Sequence, residues 1–187
     1  LVMRASAIGD NLVQRNFLLT LAKLNRNFVV QRGLSPRELL MSSKLMSEYI
    51  CRLLRRENRS VWIAQREGRT KDGNDETQQG VLKMLAMGSD EENVMKYFRK
   101  IKIVPVSISY EYDPTDALKM PRLLAEAKQE IYKKEKNEDF ITLMSGIMGQ
   151  KKRIHIHVSD ILATVFDAIV AVDVYVNKQI QELAQVI

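Results

Sequence analysis

The stretch S-V-W-I-A-Q-R-E-G-R-T-K-D-G, residues 60–73, sets two arginines, a glutamate, a lysine and a glycine directly behind an apolar, strand-like run. A guanidinium offers a planar fork of donors that fits phosphate oxygens in pairs, and an ammonium adds a point charge. Arg32 stands in the same relation to the run F-V-V-Q at 28–31. Arg32, Arg66 and Arg69 are therefore candidates for a phosphate clamp. The plainer reading is that each merely ends a strand in water, and spacing alone leaves the two level.

Other chemistry is thinner. His155 and Asp160 have H-x4-D spacing in H-I-H-V-S-D, the order of a histidine base and its orienting carboxylate. In an extended strand that separation spans ~16 Å and puts its two ends on opposite faces, so 153–158 reads as a strand carrying His155 and His157 on one side. Gly146 and Gly149 ahead of Lys151, Lys152 and Arg153 read as an ordinary loop before an anion cradle. The single cysteine, Cys51, lies within an amphipathic run and reads as a structural thiol. Trp62, Met144 and Met148 read as packing. No nucleophile elbow, Walker loop or dinucleotide fingerprint is present, and no metal site is expected.

The elements that would position the arginines follow from periodicity. A strand at 6–8 leads through Gly9-Asp10-Asn11 to a helix over 12–24, and a second strand covers 27–31. Ser35-Pro36-Arg37-Glu38 is a capping box with proline at the first helical position, opening a helix to about Arg56. A third strand covers 61–65 and a helix 77–87, and Ser89 to Glu92 suggests a second capping box. A strand over 103–110 carries Pro105 near its start, and a charged, helix-prone excursion interrupted at Pro121 follows. Ser159 can cap a last helix towards Ile187. Strands alternating with helices predict an α/β layered fold with a largely parallel sheet flanked by helices. One domain over 1–158, with a C-terminal helix over 159–187 packed on it, suits 187 residues. In such sheets ligands sit outside the carboxyl ends of the strands, where Arg32, Arg66 and Arg69 would stand.

The 29 Lys and Arg against 23 Asp and Glu give a net charge of +6, which favours anionic partners without choosing among them. One cysteine excludes an intrachain disulfide and a cysteine-rich zinc site. The most apolar run, 161–176, is interrupted by Asp167 and Asp173, so no membrane span is expected. Tyr97, Phe98, Arg99 and Lys100 form an aromatic and basic cluster, but no nucleic-acid partner is expected, because aromatics are only 6% and no recognition signature is present.

The succession F-V-V-Q-R-G, W-I-A-Q-R-E-G-R-T-K-D-G and V-P-V-S-I-S-Y-E, spanning 28–111, resembles the glycerol-phosphate and lysophospholipid acyltransferase family, and in particular a bacterial subgroup with a Q-R-E-G-R loop. On that resemblance Glu67 and Gly68 match the family's E-G pair, Arg69 its loop arginine after a one-residue deletion, and Arg32 its phosphate-side arginine. The resemblance implies an acyltransferase-like fold. It also implies transfer of a fatty acyl group from acyl-CoA or acyl carrier protein, as co-substrate and not cofactor, to a hydroxyl of glycerol 3-phosphate or a lysophospholipid. Work at the inner face of the cell membrane, as a peripheral cytoplasmic protein, is expected. Basic residues such as Arg52, Arg55, Arg56 and Lys151–Arg153 would then meet lipid head groups or an acidic carrier. The family's catalytic histidine and aspartate belong to an H-x4-D block ahead of these motifs and are expected upstream of Leu1. The alternative is a non-catalytic phosphate- or lipid-binding module of the same fold.

Overall fold

A computed structural model describes residues 4–66, 73–160, 162–171 and 175–187. These fall into two compact units. One takes the described residues within Leu1–Gly68, Glu76–Ile103 and Ile161–Ile187, the other those within Arg69–Asp75 and Val104–Asp160.

The first unit is built on a small parallel sheet. Strand β1 (Arg4–Gly9) passes through a 3-10 turn, Asp10–Leu12, to helix α1 (Asn16–Leu24), and β2 (Asn27–Val30) returns beside β1. Helix α2 (Pro36–Arg55) then carries the chain across to β3 (Ser60–Trp62) on the other side of β1. The order is β2-β1-β3, with Gly9 opposite Val30 and Ser6 opposite both Asn27 and Trp62. All three strands are parallel, so their carboxyl ends share one edge. The chain changes sides at β1, and such a reversal leaves a crevice outside the strand ends.

Helices supply the core. Helix α2 packs on α3 (Gln79–Ala86), α3 on α8 (Val176–Val186), and α4 (Val94–Ile101) on α7 (Ala163–Ala171). Ile50, Leu53, Met95, Tyr97, Phe98, Phe166 and Leu183 are sealed from solvent. Ser47, equally sealed, donates from Oγ to the Leu85 carbonyl at 2.9 Å and accepts from Gly88 N–H at 2.7 Å, tying α2 to the end of α3. No described helix is long and apolar enough to cross a membrane.

The expected capping box is present: Ser35 Oγ accepts from Glu38 N–H, and the Glu38 carboxylate accepts from Ser35 N–H at 3.0 Å. The Ser35 hydroxyl also donates to that carboxylate at 2.6 Å, and this bond, with the one from the Ser35 N–H, lowers the pKa of Glu38. Gly33, at φ 67, makes the turn into this helix in a region that side chains with a β-carbon avoid. Helix boundaries differ elsewhere. The second helix signal at Ser89 yields only a local turn, Glu91 N–H donating to Ser89 Oγ at 3.0 Å. The helix begins at Val94 because Asn93 Oδ1 accepts two otherwise orphaned N–H groups, Met95 at 2.9 Å and Lys96 at 3.1 Å. The C-terminal segment holds two helices, α7 and α8, where periodicity suggested one.

The second unit pairs β4 (Val106–Tyr110) with β5 (Ile154–Val158) antiparallel, and holds helices α5 (Asp116–Ala127) and α6 (Glu138–Met148). Among the described residues parallel pairing is thus confined to β1–β3, and V-S-I-S-Y and I-H-I-H-V pair with each other. The reason lies in their period-two alternation. Val106, Ile108 and Tyr110 face Val158, Ile156 and Ile154 on one side, and Ser107 and Ser109 face His157 and His155 on the other. Pro121 does not interrupt α5. The one carbonyl it orphans, that of Ala117, lies on an exposed part of a helix with no buried residue, where the loss is small.

Candidate phosphate site at the carboxyl edge

Gly9 ends β1 at the centre of the carboxyl edge, and the next two residues turn back over it. A β-carbon on Gly9 would lie 2.6 Å from Asn11 Oδ1 and 2.9 Å from Arg32 Nε. The Arg32 guanidinium therefore lies across the strand end, and only the lack of a side chain at Gly9 admits it. Asp10 fixes the approach from the neighbouring strand: Arg32 N–H donates to Asp10 Oδ2 at 3.2 Å, which pins the turn after β2 to the turn after β1. Arg32 itself is exposed, so its charge faces solvent over a buried glycine.

Arg66 follows β3 on the far side of β1. It is half-buried, with Nε shielded from solvent. Gln78 N–H donates to the Gln65 carbonyl at 2.9 Å, three residues past the end of β3. By register the end of β3, Trp62, is level with Ser6 and Asn27, three residues short of the Gly9–Val30 level, and Arg66 comes four residues past Trp62, on the far side of β1 from Arg32. Glu67, Gly68 and Arg69 lie outside the described residues. Of the expected site residues, the fold therefore brings Arg32 and Arg66 to one edge of one sheet. Sequence reasoning missed Gly9, Asp10 and Asn11, which read as an ordinary turn and cap. Their signal was G-D-N placed directly behind a short strand of small residues.

The competing features take structural roles. Arg55 pairs with Asp90, which lowers the Asp90 pKa and raises that of Arg55, and its guanidinium lies 5.7 Å from the Tyr97 ring centroid. Arg52 lies 3.6 Å from Glu57, and Arg153 pairs with Glu111 at 2.8 Å. Tyr97 and Phe98 are fully buried, Arg99 pairs with Asp167, and Lys100 pairs with Glu91, so the aromatic and basic cluster offers no stacking surface. Cys51 is buried against the Tyr97 hydroxyl, Sγ to Oη 3.0 Å, as a structural thiol should be. Burial, with the Cys51 contact, pushes the Tyr97 phenol up.

Gly149 is a packing residue: a β-carbon there would meet Pro114 at 2.3 Å, and Lys151 Nζ donates to the Gly149 carbonyl at 3.1 Å. Two packing expectations fail, since Trp62 is 44% and Met148 77% exposed. Trp62 ends a three-residue strand and Met148 ends α6, and a terminal position leaves few neighbours to cover a large side chain. His155 and His157 are exposed on β5, and among the described residues neither bonds to Asp160.

Comparison with family models, with curated proteins and with solved structures returned no match. The chemistry of this edge must therefore be argued from its own residues. Its arginines can neutralise and orient a phosphate ester.

Proposed function

We propose that the chain is the acceptor-binding part of an acyltransferase. Such an enzyme moves a fatty acyl group from an acyl-CoA or acyl carrier protein thioester to a hydroxyl of glycerol 3-phosphate or a lysophospholipid, at the cytoplasmic membrane surface. The observation that carries the reading is the Arg32 guanidinium laid over Gly9 at the reversal of the parallel sheet, with Arg66 behind the next strand. The acceptor's phosphate would take two donors from Arg32, with Arg66 as a second guanidinium behind β3 and Glu67 and Arg69 in the roles that the family resemblance implies. The +6 charge suits anionic acceptor, donor and lipid surface alike.

In the reaction the acceptor hydroxyl attacks the thioester carbonyl, the thiolate leaves, and a base takes the hydroxyl proton. Arg32 supplies none of that proton transfer. Its part is to hold the phosphate so that the hydroxyl is presented in one orientation, the kind of positioning that lowers a bimolecular barrier. The family resemblance places the base in an H-x4-D pair ahead of the F-V-V-Q-R block.

The test is thiol release by the full-length gene product over a panel of phosphate-bearing and phosphate-free alcohols, with Arg32→Ala in parallel. Acceptor-dependent release confined to phosphate esters, with a raised acceptor KM in the variant, is the expected result. Phosphate-ester binding with no release for any acceptor would make the chain the non-catalytic phosphate-binding module instead.

A further inference from the structure

Strand β5 is one edge of a two-stranded sheet, and all five of its residues are exposed. Two backbone bonds show which way its groups turn. Glu111 N–H donates to the Arg153 carbonyl at 2.9 Å, and Ser159 N–H donates to the Pro105 carbonyl at 3.0 Å. Bonded partners alternate along an antiparallel pair, so in this register the odd-numbered residues of 153–159 turn their backbone groups to β4. Ile154, Ile156 and Val158 turn theirs outward, where the described residues supply no strand. Chains commonly guard such an edge with a lysine, a proline or a bulge. I-H-I-H-V has none of these. Ile154, Ile156 and Val158 are also 50%, 58% and 60% exposed, on the face they share with Val106, Ile108 and Tyr110. Two strands alone make a marginal sheet, and further strands stabilise it.

The sequence around β5 is complementary to itself. Laid antiparallel to a second copy and centred on Ile156, it sets Ile156 opposite the partner's Ile156, Ile154 opposite the partner's Val158, and His155 opposite the partner's His157. Lys152, at the turn before the strand with φ 53, then meets the partner's Asp160 just past the other end, and the two-fold axis repeats that charge pair. A slip of two residues, the smallest that keeps the outward groups bonded, sets Asp160 against the partner's Gln150 or the partner's Ile154 and loses both charge pairs. The outer edge of β4 lacks this match, since a copy centred on Ile108 sets Glu111 opposite the partner's Pro105. We propose that β5 is a dimerisation edge, through which two copies of this chain join their second units into one four-stranded sheet in the order β4-β5-β5-β4. The apolar residues then run across one continuous face, and the Lys152–Asp160 pairs fix the register. Five residues at ~3.4 Å give a contact ~17 Å long, small for an interface, so association depends on concentration.

Sedimentation of the full chain over a concentration series to about 0.5 mM tests the proposal, with Ile156→Cys as the probe of register. The mass should rise to twice that of the chain and stop there, because a two-fold contact closes on itself. Residues bonded opposite each other in an antiparallel ladder have Cα atoms ~5.5 Å apart, within reach of a disulfide. Diamide should therefore link Ile156→Cys into a covalent dimer and leave Ile108→Cys, on the outer edge of β4, unlinked. The native Cys51 is buried and does not compete. Lys152 and Asp160 are exposed, so Lys152→Asp and Asp160→Lys should fold. Each should weaken the dimer about tenfold, and the double variant should restore it. A wild type that stays monomeric throughout, or grows past a dimer, overturns the proposal. Linking at 108 as fast as at 156, or charge reversals that leave association unchanged, would put the contact elsewhere and overturn it as well.

Discussion

The Arg32 guanidinium lies across Gly9 in the space that a β-carbon would need, with Nε 2.9 Å from that position. The glycine is not required by its backbone, whose φ of −70° and ψ of 142° suit any residue. Gly9→Ala should therefore fold, while pushing aside both Arg32 Nε and Asn11 Oδ1. Phosphate affinity should drop about tenfold with little change in melting temperature, read by titration and thermal unfolding of the same sample. Unchanged affinity would mean that Arg32 does not bind phosphate from this pose.

Arg32→Ala should remove a charge-assisted contact of ~1.5–3 kcal/mol, about 10- to 100-fold in acceptor affinity. Arg32→Lys should recover only part, because a point charge lacks the paired donors of the guanidinium. In the full-length enzyme the loss should appear in acceptor KM. Equal performance by arginine and lysine would show that charge alone matters there.

His155 and His157 stand on β5 opposite Ser109 and Ser107, exposed and without a bond to Asp160. His155→Gln, His157→Gln and Asp160→Asn should leave acyl transfer by the full-length protein unchanged. Loss of turnover in any of the three, with the protein folded, would move the active site to the antiparallel pair.

Ser47→Ala should destabilise the first unit by ~1–3 kcal/mol, since it leaves Gly88 N–H and the Leu85 carbonyl without their partner. Gly88→Ala should also destabilise it, by ~1–3 kcal/mol, because a β-carbon would meet the Glu48 nitrogen at 2.7 Å and the Ser47 carbonyl carbon at 2.8 Å, and backbone has little room to give. Urea midpoints decide both. An unshifted midpoint in Ser47→Ala would deny the α2–α3 tie any energetic weight.

Asp113 gives the second unit a pH signature. Burial opposes its charge, but hydrogen bonds from Lys119 and from the Thr115 hydroxyl and N–H outweigh that and hold the carboxyl at about 2. A depressed folded pKa means stability that is complete above the unfolded value of ~3.9 and is lost as pH falls through the folded one. The stability difference between wild type and Asp113→Asn should hold above about pH 4 and close between about pH 4 and pH 2. A difference independent of pH across that window would remove the ion pair as its source.

Local pattern was enough to place strands within 4–9 and 27–30, the Ser35 capping box, the long helix behind it and the period-two strand at 154–158. Each is set by neighbours within one or two turns: a cap reaches three residues ahead, and a strand declares its faces every second residue. The same locality made Ser89 read as a cap, although Asn93, four residues on, satisfies one more N–H and takes the helix start.

By itself the sequence determined that arginines stand behind two apolar strands, that the chain mixes strands with helices, and that its charge favours anions. Only the tertiary structure decided that β2 and β3 lie on either side of β1, which brings Arg32 and Arg66 to one edge, and that 106–110 and 154–158 leave the parallel sheet to pair with each other. It alone put Arg32 and the unpartnered Asn11 Oδ1 over Gly9. The physical reason is range. Propensity and capping act between residues close in the chain, whereas the approach of residue 32 to residue 9 depends on strand order and on the volume a glycine leaves open, and neither is written in the residues on either side.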